Sequence, residues 1–188
     1  MTTTNFGMVG LGRMGANIVR RLARHNITSA VYDVSPDAVA ALAQEGALGA
    51  TDMAHLASQI STPRTIWIMV PASVTDSTIA AMAEHLSPGD TIIDGGNSFF
   101  KDSIHRHHDL AAEDIHFIDC GTSGGVTGAR FGASLMVGGD KEVTACQVGS
   151  RALGAVSENP AYMMNIQLEG GTYIALKGRV PVKVKGKV

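Results

Sequence analysis

Short apolar runs alternate along the chain with segments whose apolar residues recur at helical spacing. The run Thr65–Val70 (TIWIMV) is apolar without polar alternation, which is typical of a strand buried on both faces. The predicted strands are Asn5–Gly10, Ile27–Tyr32, Ala47–Ala50, Thr65–Val70, Thr91–Asp94, Ile115–Cys120 and Ser134–Val137. The predicted helices are Arg13–His25, Pro36–Gln44, Met53–Gln59 with Asp52 as its cap, Asp76–Leu86, Ser98–Asp114 and Lys141–Leu153. Strands separated by helices pair in parallel, so the pattern predicts an α/β protein with a Rossmann-like, doubly wound, mostly parallel sheet.

The pattern changes after residue 154, which we take as the boundary between a domain over 1–154 and a divergent tail over 155–188. The tail has no helical period, and its β-prone pieces are Met164–Leu168, Thr172–Leu176 and Val180–Val184. Valine and lysine alternate in VPVKVKGKV, which favours an edge strand with a solvated lysine face. An anion-binding role and disorder remain as alternatives.

Composition narrows the class of protein. The chain of 188 residues is 45% hydrophobic and 17% charged with a net charge of −2, which favours a soluble globular protein. Neither nucleic acid nor a membrane is expected as a partner, because there is no cationic excess and no apolar run of ~18 residues. The start of the chain carries no secretory signal. Cys120 and Cys146 are expected to be reduced, buried and structural, as in a cytoplasmic protein.

A glycine-rich motif joins the first predicted strand to the first predicted helix. The motif GLGRMG comprises Gly10, Leu11, Gly12, Arg13, Met14 and Gly15. In a G-x-G-x-x-G motif the first glycine permits the tight turn, the second lets the backbone approach a pyrophosphate, and the third lets the helix pack close to the strand. The context predicts dinucleotide binding, with a turn used only for packing as the alternative.

The end of the second predicted strand bears on the choice of cofactor. Asp33 lies 18 residues after Gly15, where a carboxylate would accept hydrogen bonds from ribose hydroxyls. The same charge repels a 2′-phosphate, and Val34 and Ser35 supply no cation to bind one. We therefore expect NAD, with NADP less favoured. Val70, Pro71 and Ala72 leave the next strand and are expected beside the cofactor, unless they form an ordinary strand exit.

Two further strand ends are poor in side chains. DGGNS (94–98) follows one strand and DCGTSGG (119–125) follows another. Ligands of doubly wound sheets bind beyond the carboxyl ends of the strands. Asn97 offers an amide, Ser123 a hydroxyl, and Gly124 and Gly125 bare N–H groups, which suits a hydroxylated anionic substrate beside the nicotinamide.

Together these pieces resemble the 6-phosphogluconate dehydrogenase family, within the wider β-hydroxyacid dehydrogenases. GLGRMG, VPA, IIDGGNSFFKDS, FIDCGTSGG and GASLMVGGDKE occur in the family's order over roughly residues 5–154. The resemblance, closest to the short NAD-preferring form, implies that Gly10 to Gly15, Asp33 to Ser35 and Val70 to Ala72 contact the cofactor. By the same resemblance, Asn97 would contact both cofactor and substrate, and Ser123, Gly124 and Gly125 would hold the sugar acid. It also implies oxidation of the 3-hydroxyl of 6-phosphogluconate, followed by loss of carbon dioxide to leave ribulose 5-phosphate.

The chain departs from the family at the catalytic groups. The family's general base is a lysine in a stretch similar to G-x-G-x-x-x-K-M-x-x-N-x-x-E, and a glutamate further on is the acid. Neither stretch occurs here, so no catalytic residue is assigned, and the family's helical second domain is missing from the sequence. We expect a cofactor-binding portion with little or no activity alone, acting on a small sugar-acid phosphate. A homodimer remains open, as do a 3-hydroxyisobutyrate-type dehydrogenase and a non-catalytic NAD-binding module.

Polar residues on the helix after DGGNS have simpler interpretations. His105 and His108 are i, i+3 neighbours, but no carboxylate or cysteine completes a ligand set, so a solvated face is expected rather than a metal site. Lys101 and Asp102 are expected at the surface, with a role near the active site as the alternative.

Overall fold

The computed structural model describes residues 4–139, together with the backbone of 166–168 and 171–174. Within these described residues, nine strands form one sheet in the order β3-β2-β1-β4-β5-β6-β7-β9-β8. The strands are β1 (Thr4–Val9), β2 (Ala30–Tyr32), β3 (Leu48–Gly49), β4 (Ile60–Ile68), β5 (Thr91–Asp94), β6 (His116–Ser123), β7 (Ser134–Gly139), β8 (Ile166–Leu168) and β9 (Gly171–Ile174). The helices are α1 (Arg13–Arg24), α2 (Pro36–Gln44), α3 (Met53–Ser58), α4 (Ala72–Ala83), α5 (Phe100–Ala111) and α6 (Gly125–Phe131).

The sheet is mostly parallel, which confirms the predicted Rossmann-like fold. Strands β1 to β6 pair in parallel, whereas β7 pairs antiparallel with β6. The order reverses at β1, which has β2 on one side and β4 on the other. In a doubly wound sheet this reversal opens a crevice at the carboxyl ends of the strands.

Alternate residues of the central strands enter two apolar layers, one on each face of the sheet. Met8, Trp67 and Ile93 pack with residues of α1, α2 and α6. Their strand neighbours, such as Ile68 and Ile92, pack with residues of α3, α4 and α5 on the other face. Side chains of a strand alternate between faces, so a strand covered on both sides must be apolar throughout, as TIWIMV is.

Several predicted boundaries differ from the structure. Helix α4 begins at Ala72 instead of Asp76, because Pro71 is its N-cap and the Thr75 hydroxyl donates to the Pro71 carbonyl oxygen at 3.2 Å. Helix α5 begins at Phe100 instead of Ser98, whose hydroxyl is hydrogen-bonded to Asp94. Strand β4 starts at Ile60, and β2 starts at Ala30.

No helix is predicted from the sequence between Cys120 and Ser134, and the structure has helix α6 there. The helix packs on α1, and its Ala129 joins the apolar layer of that face. Glycine has low helix propensity, so tertiary packing decides this helix.

Some predictions of the tail lie outside the described residues. The predicted helix Lys141–Leu153, the strand Val180–Val184 and Cys146 fall there. Strands β8 and β9 occupy parts of the two pieces predicted as Met164–Leu168 and Thr172–Leu176. They pair antiparallel with each other, and β9 pairs antiparallel with β7.

Candidate functional site

The turn between β1 and α1 is built by glycines with different tasks. Gly10 has φ +92°, and a Cβ atom there would run into the Met69 carbonyl. At Gly15 a Cβ atom would meet the Gly10 carbonyl oxygen, so this glycine allows α1 to lie against the turn. A Cβ atom at Gly12 would have no heavy atom within 4 Å. Gly10 and Gly15 are therefore required by packing, whereas the space beside Gly12 is open.

Gly12 is also the N-cap of α1 and provides no side-chain cap. The first N–H groups of a helix lack intrahelical partners, and the helix dipole places partial positive charge there. Arg13 in the same turn is exposed, Met14 is half-buried, and Leu11 is buried. An uncapped helix start beside open space is the arrangement that accepts a phosphate.

Asp33 joins the end of β2 to this turn. Its Oδ2 accepts a hydrogen bond from the Leu11 N–H at 2.6 Å, and its Oδ1 accepts one from the Ser35 N–H at 2.8 Å. Val34 is 89% exposed, and Ser35 caps α2 by accepting from the Ala38 N–H. The carboxylate therefore also fixes the glycine-rich turn, a task that was not predicted from the sequence.

Val70 connects the glycine-rich turn to the DGGNS loop. It lies beside Gly10, and its carbonyl oxygen would be 3.0 Å from a Cβ atom on Gly96. Pro71 and Ala72 follow as the exposed cap and first residue of α4. The exits of β1, β4 and β5 therefore meet at one edge of the sheet.

The glycines of DGGNS are required by the protein interior. A Cβ atom on Gly95 would collide with the indole nitrogen of Trp67, a fully buried residue of β4. At Gly96 a Cβ atom would be 3.1 Å from Asp94 Oδ1. Internal packing thus explains both glycines without a ligand. The next residue, Asn97, is exposed.

The buried Asp94 side chain fixes this loop by hydrogen bonds. It is fully buried, its Oδ1 accepts from the Gly96 N–H at 2.9 Å, and its Oδ2 accepts from the Ser98 hydroxyl at 2.6 Å. Arg106 of α5 donates from Nη1 to the same Oδ2 at 3.0 Å. Arg106 was not identified from the sequence, although its position gives a signal. It shares the buried face of α5 with Ser103 and Leu110, where a cation requires a partner.

The SGG element lies at the end of β6, beyond the part of that strand that pairs with β5. Ser123, Gly124 and Gly125 are exposed, and Ser123 pairs with Ser134 of β7. Gly124 has φ +126° and packs against Gly128 of α6, whereas a Cβ atom on Gly125 would have no heavy atom within 4 Å. The SGG element therefore presents backbone N–H groups at an exposed helix start.

Asp119 precedes this element and pairs with Asp94 across β5 and β6. Burial and, to a smaller extent, the charge of Asp94 raise the pKa of Asp119 to about 6, although Arg106 opposes both effects. Two carboxylates and one guanidinium thus share the α4–α5 side of this edge. Burial also raises the pKa of the Cys120 thiol, a free and fully buried cysteine, which keeps it protonated and unreactive.

Other candidate groups lie on the exposed face of α5. His105 and His108 are exposed, as are Lys101 and Asp102. Within residues 4–139 no group of three or more histidine, cysteine or acidic side chains could hold a metal ion. No helix in the described part of the chain is long and apolar enough to cross a membrane. A groove of about 750 Å³ opens near the amino end of β2, where Arg20 is paired with Glu45 at 2.6 Å, on the far side from the glycine-rich turn.

A glycine-rich β1–α1 turn at the switch point of a doubly wound sheet, with an acidic residue after β2, defines the Rossmann class of nucleotide-binding domains. The chain belongs to the family described as the NAD-binding domain of 6-phosphogluconate dehydrogenase, whose sequence model matches residues 5–165.

Individual relatives agree with this family. The chain is 43% identical over 136 residues to a 6-phosphogluconate dehydrogenase of Haloferax volcanii named as NAD(+)-dependent and decarboxylating, covering 71% of this chain and 44% of the relative. The Plasmodium falciparum 6-phosphogluconate dehydrogenase, whose structure was solved with NADP+ and with 6-phosphogluconate, superposes with TM-score 0.75 at 26% identity. That match covers 81% of this chain and 34% of the Plasmodium chain.

A structure of another substrate class is also similar. The 3-hydroxyisobutyrate dehydrogenase of Salmonella typhimurium superposes with TM-score 0.73 at 25% identity, covering 83% of this chain and 54% of that chain. The matches cover 46% and 44% of the length of two curated relatives and 29–31% of six others.

Proposed function

We propose that this chain is the cofactor-binding portion of a decarboxylating 6-phosphogluconate dehydrogenase, within a domain over 1–154. The observation that carries the proposal is the open, uncapped helix start at Gly12 in a chain of this family. The backbone of Gly10–Gly15 holds the pyrophosphate, and the Asp33 carboxylate accepts from the adenosine ribose. Bound there, the nicotinamide ring supplies the hydride acceptor for oxidation of the substrate's 3-hydroxyl group.

The substrate half of the site is proposed from the exposed strand exits. Asn97 contacts cofactor and substrate, and Ser123, Gly124 and Gly125 hydrogen-bond the sugar acid. This assignment is supported by the exposure of these four residues and by the helix start at Gly125. A small, anionic sugar-acid phosphate fits a site built from an amide, a hydroxyl and backbone N–H groups. We also propose a cytoplasmic location, which the free Cys120 supports.

We further propose that NAD is bound in preference to NADP. The Asp33 carboxylate is held in place by the Leu11 and Ser35 N–H groups, so it cannot easily turn away from a 2′-phosphate. The neighbouring Val34 is exposed and apolar, and offers no counter-charge. The relatives include a protein named for NAD(+) and a structure holding NADP+, so the preference depends on this local geometry.

The proposal is tested by titrating NAD into wild type, Gly12→Ala and Gly15→Ala. Gly12→Ala should fold normally, because its backbone is extended and no heavy atom lies near the new methyl group. It should bind NAD about tenfold or more weakly, because the methyl group keeps the pyrophosphate from the N–H groups. Gly15→Ala should instead lose thermal stability, because its Cβ atom collides with the Gly10 carbonyl oxygen. Equal NAD affinity of wild type and Gly12→Ala would contradict the proposed cofactor position.

The cofactor preference is tested with Asp33→Asn in the same titration. The amide oxygen can keep one of the two backbone hydrogen bonds, from the Leu11 or the Ser35 N–H, and the other is lost because the amide nitrogen is a donor. The melting temperature of the variant shows whether the turn persists without the negative charge. NADP binding should then improve relative to NAD, by about tenfold. An unchanged ratio of the two affinities would show that Asp33 does not determine the preference.

A 3-hydroxyisobutyrate-type dehydrogenase is the second candidate, favoured by the similarity to the Salmonella structure. The segment from Asp94 to Ser103 distinguishes the two candidates, because it resembles the phosphogluconate branch. A substrate panel on a complete homologue with this segment would decide between them. An NAD-dependent rise in melting temperature without any effect of either substrate would favour a non-catalytic NAD-binding module.

A further inference from the structure

Asn97 stands between two tethered neighbours. The Gly96 N–H and the Ser98 hydroxyl donate to different oxygens of the Asp94 carboxylate, at 2.9 Å and 2.6 Å. Asn97 itself is exposed. One buried carboxylate therefore holds the Gly96 backbone and the Ser98 side chain, on either side of the residue that the proposed function places against cofactor and substrate.

Arg106 holds this carboxylate in turn. Its guanidinium donates from Nη1 to Asp94 at 3.0 Å and from Nε to Asp76 of α4 at 2.7 Å. The Arg106 side chain is 7% exposed, whereas Asp76 is 77% exposed. A planar guanidinium can satisfy two carboxylates in fixed directions, which a lysine cannot do. The chain of contacts runs from the surface of α4, through α5, to the loop at the end of β5.

An ordinary buried ion pair would connect core elements only. Here the two remaining hydrogen bonds of Asp94 are donated by the loop, from Gly96 and Ser98, the two residues that flank Asn97. Asp119, paired with Asp94 in the sheet, adds a second negative charge on the same side. Arg106 is the cation that these described carboxylates have in common.

We propose that Arg106 is a positioning residue, which fixes the loop 95–98, and with it the Asn97 side chain, by bridging Asp94 and Asp76. The effect of Arg106 on the loop does not depend on the proposed function, whereas the benefit of a fixed Asn97 for catalysis rests on it. The same bridge makes the loop sensitive to the exposed Asp76, a residue of α4 that precedes Asp94 by 18 positions.

The test compares amide NMR spectra of ligand-free wild type, Asp76→Asn, Arg106→Lys and the control Asp109→Asn. Asp109 is an exposed carboxylate of α5 that lines the same groove as Asp76 and Arg106. Its variant makes the same charge change nearby but removes neither hydrogen bond of the bridge. In Asp76→Asn the resonances of the Gly96 N–H and the Asn97 side-chain amide should move. Exchange of the Gly96 N–H should accelerate about two- to fivefold, the equivalent of losing one partly exposed ion pair. Asp109→Asn should leave both signals in place.

Arg106→Lys should remain folded but show the same displaced loop signals, because an ammonium cannot span both carboxylates. If the Gly96 and Asn97 signals of Asp76→Asn and Arg106→Lys coincide with those of wild type, the positioning role is wrong. If Arg106→Lys fails to fold, Asp76→Asn still decides, because Asp76 is at the surface.

Adding NAD separates this inference from the proposed function. In wild type the Gly12 N–H and the Asn97 side-chain amide should both shift on binding. In Asp76→Asn the Gly12 shift should persist, and the Asn97 shift should shrink by about half or more. If NAD causes no shift at Gly12 in wild type, the proposed function is wrong. The ligand-free spectra would still test the role of Arg106.

Discussion

Asp94 and Asp119 are neighbours in the sheet with different surroundings. Asp94 is fully buried, and its carboxylate is hydrogen-bonded by the loop and by Arg106. Asp119 is half-buried beside that negative charge, and its pKa is raised to about 6 by burial and by Asp94. At neutral pH the ionised Asp119 therefore destabilises the folded protein, because its charge is partly desolvated and lies beside that of Asp94.

We predict that Asp119→Asn stabilises the protein above about pH 6. The pKa of Asp119 is higher in the folded than in the unfolded state, so the folded state binds more protons between about pH 4 and 6. Stability conferred by the protonated carboxyl is present below that window and is lost as the pH rises through it. The variant should gain about 2 kcal/mol in free energy of unfolding at pH 7 and nothing at pH 4.

Urea denaturation at pH 4, 5, 6, 7 and 8 measures this difference, with Asp109→Asn as the control of equal charge change. A gain that is the same at every pH would show that the effect of Asp119→Asn comes from packing and not from ionisation.

At the scale of elements, hydrogen bonds of buried polar side chains connect the strands to neighbouring segments where the apolar layers end. Asp90, which precedes β5, is fully buried and accepts from the Arg64 N–H at 2.6 Å, from Arg64 Nη1 at 2.7 Å and from the Ser87 N–H at 2.9 Å. It thereby connects β4 to the turn between α4 and β5, at the edge opposite the candidate site. Arg64 is 16% exposed, so the pair is largely screened from water.

We predict that Asp90→Ala costs about 3–5 kcal/mol of stability, because it leaves the Arg64 charge and two backbone N–H groups without their partner. Asp37→Ala, in the exposed first turn of α2, is the matched control and should cost less than about 1 kcal/mol. Thermal or urea unfolding of both variants gives the comparison. A loss of similar size in the two variants would show that Asp90 is not a structural tie.

At the scale of the whole molecule, the described residues form a Rossmann-like domain of the NAD-binding family, and no catalytic base is assigned in it. The sequence lacks the lysine and glutamate stretches of the family, and the chain spans less than half the length of the curated relatives that it matches. The exits of β1, β4 and β5 meet at one edge, whereas Ser123, Gly124 and Gly125 are exposed at the end of β6. Binding and turnover are therefore expected to separate in this chain.

We predict that the purified 188-residue chain binds NAD but does not reduce it with 6-phosphogluconate. General acid–base groups contribute roughly 10²–10⁴-fold to such reactions, and substrate positioning adds more. NADH formation followed by its absorbance measures turnover, with a full-length homologue as the positive control. Robust NADH formation by this chain would show that it supplies its own acid and base.

The local sequence determined the order of strands and helices and the glycine-rich turn, because both depend on neighbours within a few residues. Burial on both faces of the sheet explains the unbroken apolar run TIWIMV, and Gly15 is required within the turn by the Gly10 carbonyl oxygen. Strand pairing in parallel then follows from the intervening helices.

Only the tertiary structure decided what lies behind the site. Trp67 requires Gly95, Asp33 fixes Leu11, and Arg106 joins Asp94 to Asp76 across 12 and 30 positions of sequence. Helix α6 likewise forms because α1 covers it and not because glycines favour a helix. Such contacts arise from the packing of elements that are distant in the chain, and nothing in the spacing of one segment specifies its partner in another.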